Sequence, residues 1–469
     1  MTYQVPQHIS QDKIFIVKKS EIEGRLEPDF YKPSIASLEK KICSLSTKRL
    51  RSYALSFAGG ATPPKRESEK YYSDSEIGVP FLRVQNLQTT GELLLDGCIY
   101  INEDTHNGLL KRSQVSEGDL LVKITGVGRM AIASVAPKDF VGNTNQHMVV
   151  IKTGNPSISK YLAHYLNLDI IEQIASIHST GGTRPALDYP SLKNIPIIEG
   201  LDFSIIDNAI KDKKAKETEA KKLLDSIDDY LLKKLGITIP SVDDGLKNRI
   251  FLSSFSNIEG NRLDPKYNKQ IRYFQESYDL DTWKTLSSVS IVKGQYGANE
   301  AAIAYQEGDT RYIRITDIDE IGNLKEYDKK TAQNIDDTYL LHNEDILFAR
   351  SGSVGKCYLH RDVNPSIFAG YLIRFVLNKN VILPEFLFYY CNSSIYWYWV
   401  NTIHRPAVQA NINAEEYCGM PIPVPSINKQ QEIVDYIADI RTRAKALQAE
   451  GKVILDNAKH KVEQMIIGG

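Results

Sequence analysis

Two periodicities alternate along the chain, and each occurs twice. Residues 81–93, FLRVQNLQTTGEL, alternate large apolar with polar positions, the period of a half-buried strand, and then turn at Gly91. The string YIRITDIDEIGNL at 312–324 repeats this without a gap, laying Arg314 over Arg83 and Gly322 over Gly91. Next, EGDLLVKITGVGRMAIASV (117–135) lies over NEDILFARSGSVGKCYL (343–359), with Asp345 over Asp119, Gly352 over Gly126 and, after a one-residue gap, Gly355-Lys356 over Gly128-Arg129. A buried strand followed by a tight glycine turn is predicted in both. The period then becomes helical in YLAHYL (161–166) and FLFYYC (386–391), and the copies close with NIPII (194–198) and GMPIPV (419–424). Their opening strings, SEIEGRLEPDF (20–30) and SNIEGNRLDPKY (256–267), share Pro28 and Pro265, which predicts the same turn at the entrance of two equivalent domains.

A proline-free helical segment follows each copy. The first, 203–235, carries Ile206, Ile210, Ala220, Leu223, Ile227, Tyr230 and Leu231 around the charged run KDKKAKETEAKK, which reads as a solvated face. In the second, Ile433, Ile437, Ile440, Ala444, Leu447, Gly451, Ile454, Ala458 and Met465 follow alternating four- and three-residue steps until the last interval, a coiled-coil seam. At 1.5 Å per residue, ~30 residues make a rod of roughly 45 Å. Two such rods bury their seams against each other and hold the copies apart. The plainer alternative is two unrelated amphipathic helices, each docked on its own domain.

Length narrows this further, since 469 residues at ~100 to 200 per domain make two to four domains. With 42% hydrophobic and 25% charged residues the composition is that of a soluble globular protein. No apolar run approaches the ~18 residues of a membrane span, and MTYQVPQHISQDK lacks the features of a signal peptide, so a cytoplasmic location is expected. Cys43, Cys98, Cys357, Cys391 and Cys418 are scattered, which predicts reduced thiols and neither a disulfide framework nor a metal site. The net charge of −1 leaves any nucleic-acid role to local positive surface or to partner subunits.

One string tempts toward catalysis. GSVGK at 352–356 has the glycines and lysine of a phosphate loop, yet such a loop needs four residues between its glycines and a Ser or Thr after the lysine. Here two residues intervene, Cys357 follows, and the sister string TGVGR has no lysine. The glycines therefore read as a repeated turn, and no catalytic, cofactor-binding or metal site is expected. The aromatic run Tyr389, Tyr390, Tyr396, Trp397, Tyr398 and Trp399 suits base stacking, but its helical spacing favours a packed core.

The order of these features resembles the specificity subunits of Type I restriction-modification systems. The matching strings are GGATPPK (59–65) with VKGQYGANE (292–300), PFLRVQNL with YIRITDI, EGDLL with NEDIL, and AVQANINAEEYCGMPIPVPSINKQQEIV (407–434) as the closing junction. The first junction, RPALDYPSLKNIPII, lacks the Gln-x-Asn-Ile of the second, and GLDFSIIDNAI replaces its Gln-Glu helix start, so it is expected to meet a partner subunit differently. The resemblance implies an α+β fold of two tandem pseudo-repeated target-recognition domains, 1–200 and 241–425, separated by two long helices, 201–240 and 426–469, that pair as an antiparallel coiled coil. It also implies a non-catalytic subunit that reads a bipartite asymmetric site on double-stranded DNA. Its expected partners are two methyltransferase subunits, which carry S-adenosylmethionine, and two restriction/translocase subunits, as in phage defence.

Each domain is then expected to read one half-site in the major groove, where every base pair shows a distinct donor and acceptor pattern. Rods of ~45 Å, at ~3.4 Å per base pair, put the half-site centres roughly 13 base pairs apart. The candidates for phosphate contact or guanine readout are Lys65, Arg66, Lys123, Arg129, Arg350 and Lys356; for adenine edges they are Asn86, Asn145, Gln146, Gln295, Asn299 and Gln409. Arg83 and Arg314, placed inside strands, either brace a local carboxylate or touch DNA. The rival readings are a nucleotide-binding enzyme, a protein scaffold that never touches DNA, and the specificity subunit of a related methyltransferase-only or phage-defence complex.

Overall fold

The computed structural model describes residues 10, 12–22, 26–46, 48–181, 184–239, 252, 254, 265, 267–268, 283–403 and 411–468. The string 256–267, and with it the expected turn at Pro265, lies mostly outside the described residues. The chain divides into two compact units, Met1–Glu217 with Gln448–Gly469, and Thr218–Leu447. Each unit holds one copy of the repeat together with half of each long helix.

In the first unit, β1 (Ser56–Gly59), β3 (Leu120–Lys123), β4 (Ala133–Val135) and β6 (Met148–Lys152) form an antiparallel sheet in the order β1-β6-β3-β4. A second sheet is built around β2 (Val79–Leu82), which runs parallel to β5 (Val141–Thr144). The second unit repeats both arrangements. Strands β7 (Ser290–Tyr296), β9 (Ile346–Ala349), β10 (Cys357–Leu359) and β12 (Leu372–Leu377) follow the order β7-β12-β9-β10, and β8 (Arg311–Ile313) runs parallel to β11 (Ser366–Phe368). The repeat read from sequence is thus a repeat of topology.

The continuous apolar runs in β3 and β9 have a physical reason. Successive side chains of a strand point to opposite faces, and both faces are covered here. Leu120 and Val122 face a core of helices, whereas Leu121 packs among Leu82, Val115 and Met148 beneath the second sheet. Ile346 and Phe348 divide from Leu347 and Ala349 in the same way. The repeated aspartates close the turn before each strand. Asp119 accepts the Ser116 N–H at 2.8 Å and ion-pairs with Lys152 at 2.7 Å. Asp345 accepts the His342 N–H at 2.7 Å and ion-pairs with Arg374 at 2.8 Å.

The helical face of each copy carries two helices, α1 (Pro156–Leu166) and α2 (Asp169–Ile177) in the first, α4 (Pro384–Tyr390) and α5 (Ser394–Ile403) in the second. Tyr390, Tyr396 and Trp399 are buried in the second core, as their helical spacing predicts. The closing strings return to the start of each domain as short strands, Ile197 opposite Lys48 and Pro423 opposite Trp283.

The two long helices are α3 (Ser204–Leu235) and α6 (Ile427–Gly468), and they pack together antiparallel. In the first unit Lys216 of α3 ion-pairs with Glu450 of α6 at 2.7 Å, and a Cβ on Gly451 would lie 3.4 Å from the Lys213 Cα. A mid-helix glycine costs about 1 kcal/mol relative to alanine; here its bare Cα lets the backbones approach. In the second unit Tyr230 stacks on Tyr436 with ring centroids 3.8 Å apart, and Lys234 pairs with Glu432. One seam position departs from expectation, because Met465 is 67% exposed while Leu455, Ala458, Val462 and Ile466 are buried. An α-helix turns every 3.6 residues, so a strict 3.5-residue seam drifts around it by ~20° per heptad.

Each unit also ties a long helix to its copy by a carboxylate. Glu463 accepts the N–H groups of Asp169, closely, and of Ile170 at 3.2 Å, at the start of α2. Asp228 accepts the Ser394 N–H at 2.9 Å, at the start of α5. Among the described residues no helix is long and apolar enough to cross a membrane.

Candidate nucleic-acid interface

The strand register brings three loops of each copy to one end of its antiparallel sheet. In the first copy Gly59 ends β1 opposite Val149, and Lys123 ends β3 opposite Met148, so the loops after β1 and β3 and before β6 emerge together. In the second, Tyr296 pairs with Ile373 and Ala349 with Leu372, giving the same convergence. Glycine permits the loop contact in both, since a Cβ on Gly60 would stand 1.9 Å from the Thr144 carbonyl oxygen and one on Gly297 2.4 Å from that of Phe368.

The glycine turns sit in the middle of this end. Gly126 and Gly128 adopt φ of 118° and 79°, Gly352 and Gly355 adopt 79° and 91°, and each pair turns the chain from one strand into the next of a hairpin. Backbone of such φ is open to glycine and costly for most other residues. The closing junction lies against each turn, with Leu187 N–H donating to the Ile124 carbonyl at 2.8 Å and Ile412 N–H to the Arg350 carbonyl at 2.9 Å. The first junction therefore keeps this contact although it lacks the Gln-x-Asn-Ile string. These turns are not phosphate loops at a helix start, for each leads into a strand.

Several candidates face inward. Asn86 is buried, its side chain accepting the Arg83 N–H at 2.8 Å and donating to the Leu94 carbonyl at 2.7 Å, so it closes a turn and offers no edge to DNA. Lys123 is 3% exposed and donates to the Val127 carbonyl at 2.8 Å; burial holds its pKa below the usual lysine value. Arg129 is tied to Asp169 and donates to the Asn167 carbonyl at 2.6 Å, bracing the turn against α2. Lys356 pairs with Glu320 at 2.8 Å and donates to the Ile318 carbonyl at 3.3 Å. Asn145 is buried and accepts the His147 N–H at 3.1 Å. Matching basic residues in the two turns thus serve local structure. Arg83 and Arg314 stand just past their strands, and Arg314 braces Asp317 through contacts of 3.1 and 2.6 Å.

Other candidates gather at the open end. In the first copy Arg66 and Gln146 are exposed, and Thr62 donates to Gln146 across the two loops; the backbone of Lys65 begins a short helical turn beside them. In the second, Asn299 is exposed and Gln295 donates to the Thr338 carbonyl at 2.9 Å and accepts from Arg374 at 3.2 Å. Arg350 is half-buried, its guanidinium 4.8 Å above the Tyr296 ring centroid and its Nε 3.4 Å from Asn411 Oδ1. Gln409 lies outside the described residues. Tyr296, Tyr371 and Asn411 were not among the sequence candidates, although Tyr296 stands within the string VKGQYGANE already aligned with the first copy's opening loop.

Comparison with known proteins bears on what such an end does. Residues 282–452 match the Type I restriction modification DNA specificity domain. The resemblance noted from the sequence is thereby supported, and the matched segment holds the whole loop end of the second copy. Three solved structures cover 89% of this chain and 95% of their own. They are one concerning complex assembly and conformational transition of the type I R-M system (15% identity, TM-score 0.38), the Type-I restriction-modification S subunit from M. genitalium (14%, 0.36) and the HsdS subunit from Thermoanaerobacter tengcongensis (14%, 0.31). A search of curated proteins gave no match.

Proposed function

We propose that this chain is the DNA-specificity subunit of a Type I restriction-modification complex, each copy applying its loop end to one half of a bipartite asymmetric target. The observation that carries the reading is the duplicated loop end with unlike side chains on like backbone, one copy of which lies in the segment matching the specificity domain. Equal backbone gives two equivalent reading heads, and unequal side chains give two different half-sites. Base edges are read by such side chains in the major groove, while affinity comes largely from phosphate contacts. The near-neutral net charge leaves much of that phosphate binding to partners. Those partners are two methyltransferase subunits, which bring S-adenosylmethionine, and two restriction/translocase subunits, and the complex acts in the cytoplasm.

Single-molecule methylome sequencing tests this directly, comparing cells that express the chain with its methyltransferase against cells with that methyltransferase alone. A gapped, two-part methylated motif that appears only with this chain is expected. No new motif, with both proteins folded and associated, overturns the reading in favour of a protein scaffold.

A further inference from the structure

From the second loop end, we infer that Arg350 reads a guanine in the half-site of that copy, with Tyr296 and Asn411 positioning it. This rests on the reading above and adds the base and the residue. Arg350 has no counterpart in the first copy, where Ile124 occupies the same place in the strand and turn. Its neighbours differ from those of the other basic residues in the two turns. Arg129 and Lys356 are bound to carboxylates, whereas no carboxylate pairs with Arg350 among the described residues. The Tyr296 ring covers one face of the guanidinium at 4.8 Å, Asn411 takes its Nε, and the Arg350 N–H donates to the Tyr371 carbonyl at 3.0 Å. Tyr296 is itself fixed, its hydroxyl accepting the Ala414 N–H at 3.0 Å.

The ring contact and the Nε contact leave both terminal nitrogens of Arg350 without a protein partner among the described residues. Those two nitrogens form the fork that matches guanine O6 and N7 in the major groove, the commonest specific contact of arginine with a base. A phosphate contact needs only the charge. Base readout needs the fork restricted in orientation, and the Tyr296 ring at 4.8 Å with the Asn411 amide on Nε restricts it.

The test is selection from a randomised duplex library by the full chain copurified with its methyltransferase, using wild type, Arg350→Ala, Arg350→Lys and Tyr296→Leu. Arg350→Ala is expected to erase one guanine position in one half-site and leave the other half-site intact, which also shows that the complex is folded. Arg350→Lys keeps the charge but loses the fork, and it is expected to lose most of the same preference. Tyr296→Leu weakens that one position without changing the others. Replacing the selected guanine by 7-deazaguanine is then expected to weaken wild type by about 5- to 150-fold and the alanine variant hardly at all. Uniform weakening across all sequences, with the salt slope reduced by about one, makes Arg350 a phosphate contact and overturns the inference. An unchanged motif overturns it as well. If wild type enriches no sequence, the DNA reading itself fails, which is a separate result.

Discussion

The glycine turns of the two copies join equivalent strands, yet they differ by one residue in the spacing of their glycines and in most of the side chains they carry. In the first, Lys123 is drawn inside to hold the Val127 carbonyl, Arg129 is fastened to α2, and Val127 stands 78% exposed at the tip. In the second, Ala349 takes the place of Lys123, Val354 packs against the core, and Arg350 is stacked at the open end. The comparison teaches that equivalence of position predicts backbone and not chemistry. Residues that match between the copies, such as the two aspartates and the basic residue after each turn, carry structure. Among the residues that differ are Val127 and Arg350, which reach the exposed tip and the open end, as expected of two heads that read different sequences.

The sharpest way to separate the two turns is to add one carbon to each. A Cβ on Gly355 meets Val400 at 2.8 Å and Trp397 at 2.9 Å, whereas one on Gly128 meets nothing within 4 Å. Both residues have positive φ. Gly355→Ala is expected to cost about 4 kcal/mol, from backbone strain and overpacking together, and Gly128→Ala about 1 kcal/mol from strain alone. Urea denaturation of both variants measures the gap; equal losses would mean that the turns are packed alike.

A second contrast lies where the long helices meet the copies. Four residues before Glu463 stands buried Lys459, and four before Asp228 stands Leu224. Burial, with Arg129 adding to it, pushes the Lys459 pKa down from 10.5 to about 8, against Asp169, Asp456 and Glu463. The unfolded chain therefore holds more proton between these values, so stability is fully present above 10.5 and is lost as pH falls through about 8. At 1.36 kcal/mol per unit the cost at pH 7 is roughly 3 kcal/mol. Lys459→Leu is expected to raise the melting temperature at pH 7 and to remove the rise in stability from pH 8 to 10. Thermal scans across that range check both.

The smallest effect probes the shared device. Glu463→Ala and Asp228→Ala each remove a carboxylate from a helix N-terminus, a loss of about 1 kcal/mol apiece. Hydrogen exchange is expected to rise in α2 for the first variant and in α5 for the second. Loss of protection in the wrong copy would break the pairing of each carboxylate with its helix.

Much of this fold was legible in the sequence because its signals are local or repeated. Period two and period 3.6 mark strands and helices, glycines at fixed places mark turns, and a second copy of each string tests the first. The seam at Ile433, Ile437, Ile440 and Ala444 predicted the packed face of α6, and all four residues are buried. Tertiary structure alone decided where polar side chains point. Nothing in EGDLLVK tells that Lys123 turns inward to a carbonyl four residues on, or that Asp169 waits for Arg129 forty positions away. Nor does VKGQYGANE tell that its tyrosine will lie under an arginine from another strand. Apolar residues obey a rule that periodicity records, since water expels them to one side. A charged or amide side chain satisfies itself wherever a partner lies within about 3 Å, and which partner comes that near is set only when distant segments fold together.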